Sequence, residues 1–306
     1  MQLLRFLLPI LLLWSCTGPE RPAPTAQEIM NRPEVQRVLF RPRAAARTVL
    51  PPGAADIDIE VAPGITIGCR LFTADKAAPT ILFFHGNGEI VADYDDIGPL
   101  YMEAGLNFLV VDYRGYGWSG GSPSYANLLA DSHVLHDQLK QYLQTNGYGP
   151  ALFLMGRSLG SAAAIELASS HNAEISGLII ESGFALTLPL AETLGLGDML
   201  KDVTVTEEQT FNNAGKISRV TKPTFLLHGQ RDTLIPLWQA EKLHAESGAR
   251  NKELQVVPGA DHNSLIAVGG KHYFLAISRF VRQVTGADDW RVRRKQFKAA
   301  SKVNEP

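Results

Sequence analysis

Six short apolar runs, separated by helix-length segments, constrain this chain more than any other feature. They are Thr80-Ile81-Leu82-Phe83-Phe84, Asn107-Phe108-Leu109-Val110-Val111, Ala151-Leu152-Phe153-Leu154-Met155, Gly177-Leu178-Ile179-Ile180, Thr224-Phe225-Leu226-Leu227 and Leu254-Gln255-Val256-Val257. Most lack polar–apolar alternation, so neither face suits water. Strands buried on both faces belong to a parallel sheet covered by helices. Helical segments lie between the runs. Residues 124–145 open with Ser124 as a cap and stop at Asn146-Gly147; residues 236–247 have Pro236 at an initiating position and Gly248 as a stop. Residues 271–284 carry Tyr273, Phe274, Ile277, Phe280 and Val281 toward one face. This alternation predicts an α/β fold with an open, mostly parallel, doubly wound sheet. Ahead of it, Asp56-Ile57-Asp58-Ile59-Glu60-Val61 alternates with period two, Pro63-Gly64 turns the chain, and residues 65–72 resume as a strand. These form an N-terminal antiparallel hairpin. A chain of 306 residues is long enough for one such domain.

The ends read differently from the middle. Arg5 precedes the apolar stretch Phe6 to Trp14, too short for a comfortable helical span of about 20 residues. Residues 1–15 therefore read as a secretory signal peptide. Leu13-Trp14-Ser15-Cys16 resembles a bacterial lipobox, which implies cleavage before Cys16 and lipidation of its thiol. The expected location is the cell envelope, with the protein held at a membrane through Cys16. Pro19, Pro22 and Pro24 make the following segment an extended tether, within an N-terminal extension of residues 16–55. A short helix interrupted by Pro33 is expected around residues 29–40. Residues 287–306 form a basic tail, with Arg291, Arg293, Arg294, Lys295, Lys298 and Lys302 among Trp290, Val292 and Phe297. It reads as a solvated tail, with contact to an anionic membrane as the alternative. A formal net charge of -2 implies no bulk attraction to nucleic acid. Two cysteines, Cys16 and Cys69, build neither a disulfide framework nor a cysteine metal site. Cys69 reads as a small core residue.

One pentapeptide stands out chemically. Gly156-Arg157-Ser158-Leu159-Gly160 follows an apolar strand and opens the small-residue helix Ser161-Ala162-Ala163-Ala164. Strand, G-x-S-x-G, helix is the context of a nucleophile elbow, where glycines permit a tight reversal around a strained serine. The bland reading is a serine at a helix N-cap. A nucleophilic serine needs a base, a carboxylate to orient it, and donors for the oxyanion. Among eight histidines, His262 is the best base, on the Gly-containing loop after the last strand. His85 and His228 close strands in His-Gly pairs and read as loop-orienting. His133, His136, His171, His244 and His272 read as surface or packing residues. Asp232, just beyond a buried strand, is the best carboxylate; Asp261 and Glu181 are the second and third choices. The backbone N–H groups of Asn87, in His85-Gly86-Asn87-Gly88, and of Leu159 are the expected oxyanion donors. Residues 184–216 interrupt the alternation and read as a small cap of one to two helices above the crevice. The alternative for this stretch is a surface excursion with no contact to substrate.

Phe84-His85-Gly86-Asn87-Gly88, Asp112-Tyr113-Arg114-Gly115-Tyr116-Gly117-Trp118-Ser119-Gly120-Gly121, the elbow, His228 to Pro236, and Gly259 to His262 occur in an order that resembles the α/β-hydrolase superfamily. The resemblance covers residues 56–286. The first two motifs are similar to the branch of depalmitoylases, lysophospholipase-like enzymes and serine aminopeptidase-like sequences. It implies an α/β-hydrolase fold and a serine hydrolase acting on carboxylic esters or thioesters. Ser158 is then the nucleophile, His262 the base and Asp232 its orienting acid, with no metal or other cofactor and a small acyl substrate. Asp112 and Arg114 are expected to fix their loop. Arg157 stands where many relatives place His, Gln or Tyr. A peptidase of the aminopeptidase type would use the same residues, with acids of the cap such as Glu192, Asp198, Asp202, Glu207 and Glu208 holding an amine. A non-catalytic binding protein on this fold is the third reading.

Overall fold

A computed structural model describes residues 26–200 and 205–287. The predicted signal peptide, Cys16, Asp202 and nearly all of the basic tail lie outside the described residues. One sheet organises the domain. Its strands are β1 (Ala54–Ala62), β2 (Ile65–Phe72), β3 (Thr80–Phe84), β4 (Asn107–Val111), β5 (Leu152–Arg157), β6 (Gly177–Glu181), β7 (Thr224–Gly229) and β8 (Lys252–Val257). The spatial order is β1-β2-β4-β3-β5-β6-β7-β8. β2 pairs antiparallel with both β1 and β4, while all pairs from β4 to β8 are parallel. The predicted hairpin and the six predicted sheet strands are therefore present. This is the mostly parallel sheet of the α/β-hydrolase fold, with the hairpin at one edge.

Burial on both faces explains the unbroken apolar runs. Along β3, Leu82 and Phe84 belong to the core on one side of the sheet, and Ile81 and Phe83 to the core on the other. The first side is covered by α4 (Tyr125–Thr145), through Leu135 and Leu139, and by α5 (Gly160–Ser170), through Ala163 and Leu167. The second is covered by α3 (Gly98–Glu103), through Tyr101, and by α11 (Lys271–Thr285), through Tyr273, Ile277 and Phe280. The Ser124 side chain caps α4 by accepting the Asn127 N–H at 3.1 Å. α9 (Leu237–Glu246) starts directly after Pro236, as the proline predicts. α10 (Leu265–Gly269) is a short addition between the His262 loop and α11.

Two regions depart in detail from the sequence reading. The N-terminal extension contributes to the core from residue 29 onward, well before the predicted domain start. α1 (Ala26–Met30) and α2 (Pro33–Leu39) meet at the predicted break, and Ile29, Met30, Val35, Leu39 and Phe40 are buried. These spacings place apolar side chains on one face of each short helix, which can be buried only against the domain. The insertion after β6 contains more pieces than the predicted one to two helices: α6 (Thr187–Thr193), α7 (Gly197–Leu200), one 3-10 turn at Glu207–Gln209 and α8 (Asn213–Ile217). It is tied down by polar contacts. Glu207 accepts the N–H groups of Thr187 and Leu188 at 2.8 Å each, and Gln239 accepts those of Ala185 and Leu186 at 2.9 Å each. Tyr125 Oη donates to Thr210 O at 2.7 Å.

Because Ile29 is fully buried, Ile29→Ala should destabilise the domain by about 2–5 kcal/mol, the range for truncating a large core residue. Urea unfolding of the variant beside the wild type measures this. An unchanged midpoint would show that α1 is not docked.

Candidate active site

The parallel sheet reverses its winding between β3 and β5, and loops at the C-terminal ends of those strands face a common crevice. Ser158 follows β5 with φ +52°, a left-handed conformation uncommon for a non-glycine residue. Its flanking glycines are sterically required. A Cβ on Gly160 would lie 2.0 Å from Phe84 O, and one on Gly156 would lie 2.3 Å from Gly160 O. The turn can therefore approach β3 only with bare backbone at both positions. The Ser158 N–H donates to Glu181 O at 2.9 Å, anchoring the turn to β6 as well.

The loops after β7 and β8 bring two more side chains to this point. His262 Nε2 lies 2.9 Å from Ser158 Oγ, and His262 Nδ1 lies 2.7 Å from Asp232 Oδ2. All three residues are buried. A carboxylate only accepts, so Nδ1 carries the hydrogen and Nε2 keeps the lone pair that faces the hydroxyl. Asp232 Oδ1 also accepts the N–H groups of Leu234 and Ile235, at 3.0 and 2.8 Å. It thus combines the turn role with the contact to His262. The other two carboxylate candidates are engaged elsewhere. Asp261 Oδ1 accepts from Asn263 N at 3.0 Å and Ser264 Oγ at 2.6 Å, and Glu181 Oε2 accepts from Tyr273 Oη at 2.6 Å.

Asn87 and Leu159 line one pocket with Ser158. Among the described residues, neither backbone N–H has a protein acceptor. Asn87 is held by its side chain: Oδ1 accepts the Arg41 N–H at 2.8 Å and Tyr116 Oη–H at 2.9 Å. The same pocket is otherwise almost wholly apolar, lined by Leu39 of α2, Phe184, Leu190, Ala191 and Leu194 around α6, Phe211, Leu234 and Ile235. The N-terminal extension and the insertion thus both reach the serine, which sequence reading attributed only to the insertion.

His85 and His228 sit in loop-holding positions. His85 Nε2 lies 3.1 Å from Asp112 Oδ1 and Nδ1 2.8 Å from Gly86 O. His228 Nε2 lies 2.7 Å from Ile235 O, and burial pushes its pKa down. Arg114 pairs with Asp131 of α4 through two 2.7 Å hydrogen bonds, fixing its loop. Burial pushes the Cys69 thiol far up, consistent with an inert core position.

Arg157 does more than its sequence context revealed. Its guanidinium donates to His262 O and Asn263 Oδ1, both at 3.0 Å, and pairs with Glu89 and with Glu181 at 3.3 Å. One cation thereby ties β5, the loop after β3, β6 and the histidine loop together beside a cavity of about 330 Å³. Burial pushes both carboxyls up. At Glu89 the Arg157 charge and the Tyr94 hydroxyl outweigh burial and leave the pKa low; at Glu181 burial prevails and leaves it high. Burial works against the Arg157 charge, but the two glutamates outweigh it and raise its pKa. No local motif marks this knot, because its members are far apart in sequence.

Comparison with known proteins agrees with this architecture. Residues 75–196 match the family model described as serine aminopeptidase, S33. An uncharacterised protein of Mycobacterium tuberculosis is 28% identical over 258 residues, covering 81% of this chain and 87% of its own. Protein bem46 of Schizosaccharomyces pombe is 28% identical over 211 residues, covering 68% of this chain and 69% of its own. Among solved structures, the esterase Pf2001 of Pyrococcus furiosus superposes with a TM-score of 0.65 at 21% identity, covering 79% of this chain and 96% of that one. A monoglyceride lipase variant of Saccharomyces cerevisiae gives 0.60 at 18% identity, covering 78% and 97%. The likeness to these structures shows the α/β-hydrolase fold, and residues 75–196 are similar to the serine aminopeptidase, S33 model.

Replacing Arg157 with Met should cost about 3–5 kcal/mol at pH 7, because it strands the buried Glu181 carboxylate and the partly buried Glu89 carboxylate. Without the guanidinium both folded-state carboxyl pKa values rise. The deficit is then full above the raised folded-state pKa values of the variant's two carboxyls and shrinks as falling pH protonates Glu89 and Glu181. Urea unfolding of wild type and Arg157→Met at pH 7 and at about pH 5 checks the sign.

Proposed function

We propose that this protein is a serine hydrolase that cleaves carboxylic esters or thioesters through an acyl-enzyme intermediate. The observation that carries this reading is the hydrogen-bonded chain Asp232–His262–Ser158 opening on an apolar pocket. Ser158 Oγ attacks the acyl carbon while His262 Nε2 takes its proton. Asp232 holds the histidine in that tautomer and stabilises the imidazolium. The tetrahedral oxyanion is received by the N–H groups of Asn87 and Leu159, helped by the N-terminal end of α5. His262 returns the proton to the leaving oxygen or sulfur as the bond breaks. Water, deprotonated by His262, then releases the acid and restores Ser158. None of these steps needs a metal or other cofactor.

The lining of the pocket supports an acyl group rather than an amine beside the serine. An aminopeptidase needs a carboxylate to hold the substrate ammonium, and no acidic side chain lines this pocket among the described residues. In the insertion, Glu207 is used on backbone N–H groups, while Glu192 and Glu208 are exposed. A purely binding role would leave the histidine–serine hydrogen bond without a purpose. Membrane attachment through a lipidated Cys16 in the cell envelope belongs to the same proposal and would place the pocket near a lipid surface.

Ser158→Ala should abolish hydrolysis of short p-nitrophenyl esters and labelling by a fluorophosphonate probe; persistent labelling at another serine would overturn the assignment. Asp232→Asn should retain the fold and lose about 10⁴-fold in kcat, since the wrong histidine tautomer becomes favoured. In a panel of acyl esters, acyl thioesters and aminoacyl amides, the amides should be the poorest substrates. Leu190→Trp narrows the apolar slot, so kcat/KM should fall about tenfold more for an octanoyl ester than for acetyl. Equal losses on both esters would remove α6 from the acyl site.

A further inference from the structure

Three histidines given ordinary packing roles by their sequence context converge between α4 and the end of α5. They share no residue with the candidate active site. Their hydrogen bonds fix the protons. His133 Nε2 lies 3.3 Å from Glu166 Oε1, which can only accept, so Nε2 carries the hydrogen and Nδ1 is bare in the neutral ring. That Nδ1 lies 2.9 Å from His171 Nε2, which must donate. Neutral His171 then presents a bare Nδ1 to Glu174 Oε1 at 3.2 Å. Two lone pairs at that distance repel unless a cation joins them. A proton would serve this pair alone, but a third group stands beside it. The His136 and His171 rings have centroids 4.2 Å apart. His136 Nδ1 faces Asp137 Oδ1 at 2.9 Å, so its Nε2 is the bare nitrogen. His136 is fully buried, and Nε2 has no hydrogen-bond partner among the described residues.

We propose that His136, His171 and Glu174 form a transition-metal site, best suited to Zn²⁺. One ligand atom from each lies within 4.8 Å of the others. Two imidazoles and a carboxylate match zinc chemistry, with bonds of about 2.0–2.2 Å. A closure to metal-bond lengths is required, and Glu174, half exposed in the turn before β6, can supply part of it by turning its side chain while it stays paired with Lys140. Lys140 pairs with Glu174 through the other carboxylate oxygen, which leaves Oε1 to face His171. His133 and Glu166 complete the design by holding the remote nitrogen of His171, as carboxylate–histidine chains do behind metal ligands. The bound ion would clip α4 to the α5–β6 turn and satisfy the buried His136 nitrogen.

The test uses untagged full-length protein stripped with chelator and titrated with Zn²⁺ against a chromophoric competitor. One equivalent should bind, Co²⁺ should give visible absorption of a nitrogen–oxygen site, and the melting temperature should rise with metal. Glu174→Gln and His171→Asn should each weaken binding at least about tenfold, and His133→Ala by about tenfold. Both ligand variants change partly exposed side chains, and fluorophosphonate labelling at Ser158 reports that they remain folded. Failure of the folded wild type to bind micromolar Zn²⁺, or equal binding by wild type, Glu174→Gln and His171→Asn, overturns the site.

Discussion

The rest of the structure depends on how closely the turn after β5 approaches β3. Gly160 sits so near the Phe84 and His85 carbonyls that even a methyl group would overlap them. This contact lets α5 begin directly behind the sheet, holds Ser158 at a positive φ, and puts the loop after β3 beside it. Backbone strain of this kind survives only where packing on all sides enforces it. Here the enforcement comes from β3, from β6 through the Ser158 N–H, and from the small side chains of α5, among which Ala162, Ala163 and Ala164 are fully buried.

Around that fixed turn the polar groups divide into two sets. On one side lies a dry pocket, with Leu39, Leu190 and Phe211 among its walls. On the other lies the Arg157 knot, in which one guanidinium binds two carboxylates and the backbone of the histidine loop. The division has a physical reason. A buried arginine requires carboxylates and carbonyls at short range, whereas an acyl-binding surface gains from their absence. Placing the cation behind the histidine loop keeps its charge away from the apolar pocket while pinning the loop that carries His262.

Much of this was legible in the chain before any contact was known. Unbroken apolar runs reveal two-sided burial, so the parallel sheet followed from β3 to β7 directly. Gly156 and Gly160 around Ser158, with Asp232 and His262 each just past a strand, identified the side chains that the structure brings together. The N-terminal helices were harder to read. Their short amphipathic faces, interrupted by Pro33, look like those of a loose extension, and Leu39 reaches Ser158 only because α2 docks on the domain. The histidine cluster was equally hidden. His133 and His136 are three apart on one helix, but His171 joins them from the end of another.

The sequence by itself determined the class of fold and the chemical candidates, because strand burial and steric need for glycine are local and leave local traces. It also carried the leader-like features at the N-terminus, which lie outside the described residues. Only the tertiary structure decided which carboxylate meets His262, that Arg157 ties four segments together, and that α2 and α6 share the wall of one pocket. Those outcomes depend on distances between residues far apart in the chain, and such distances are set by the packing of helices on both faces of the sheet.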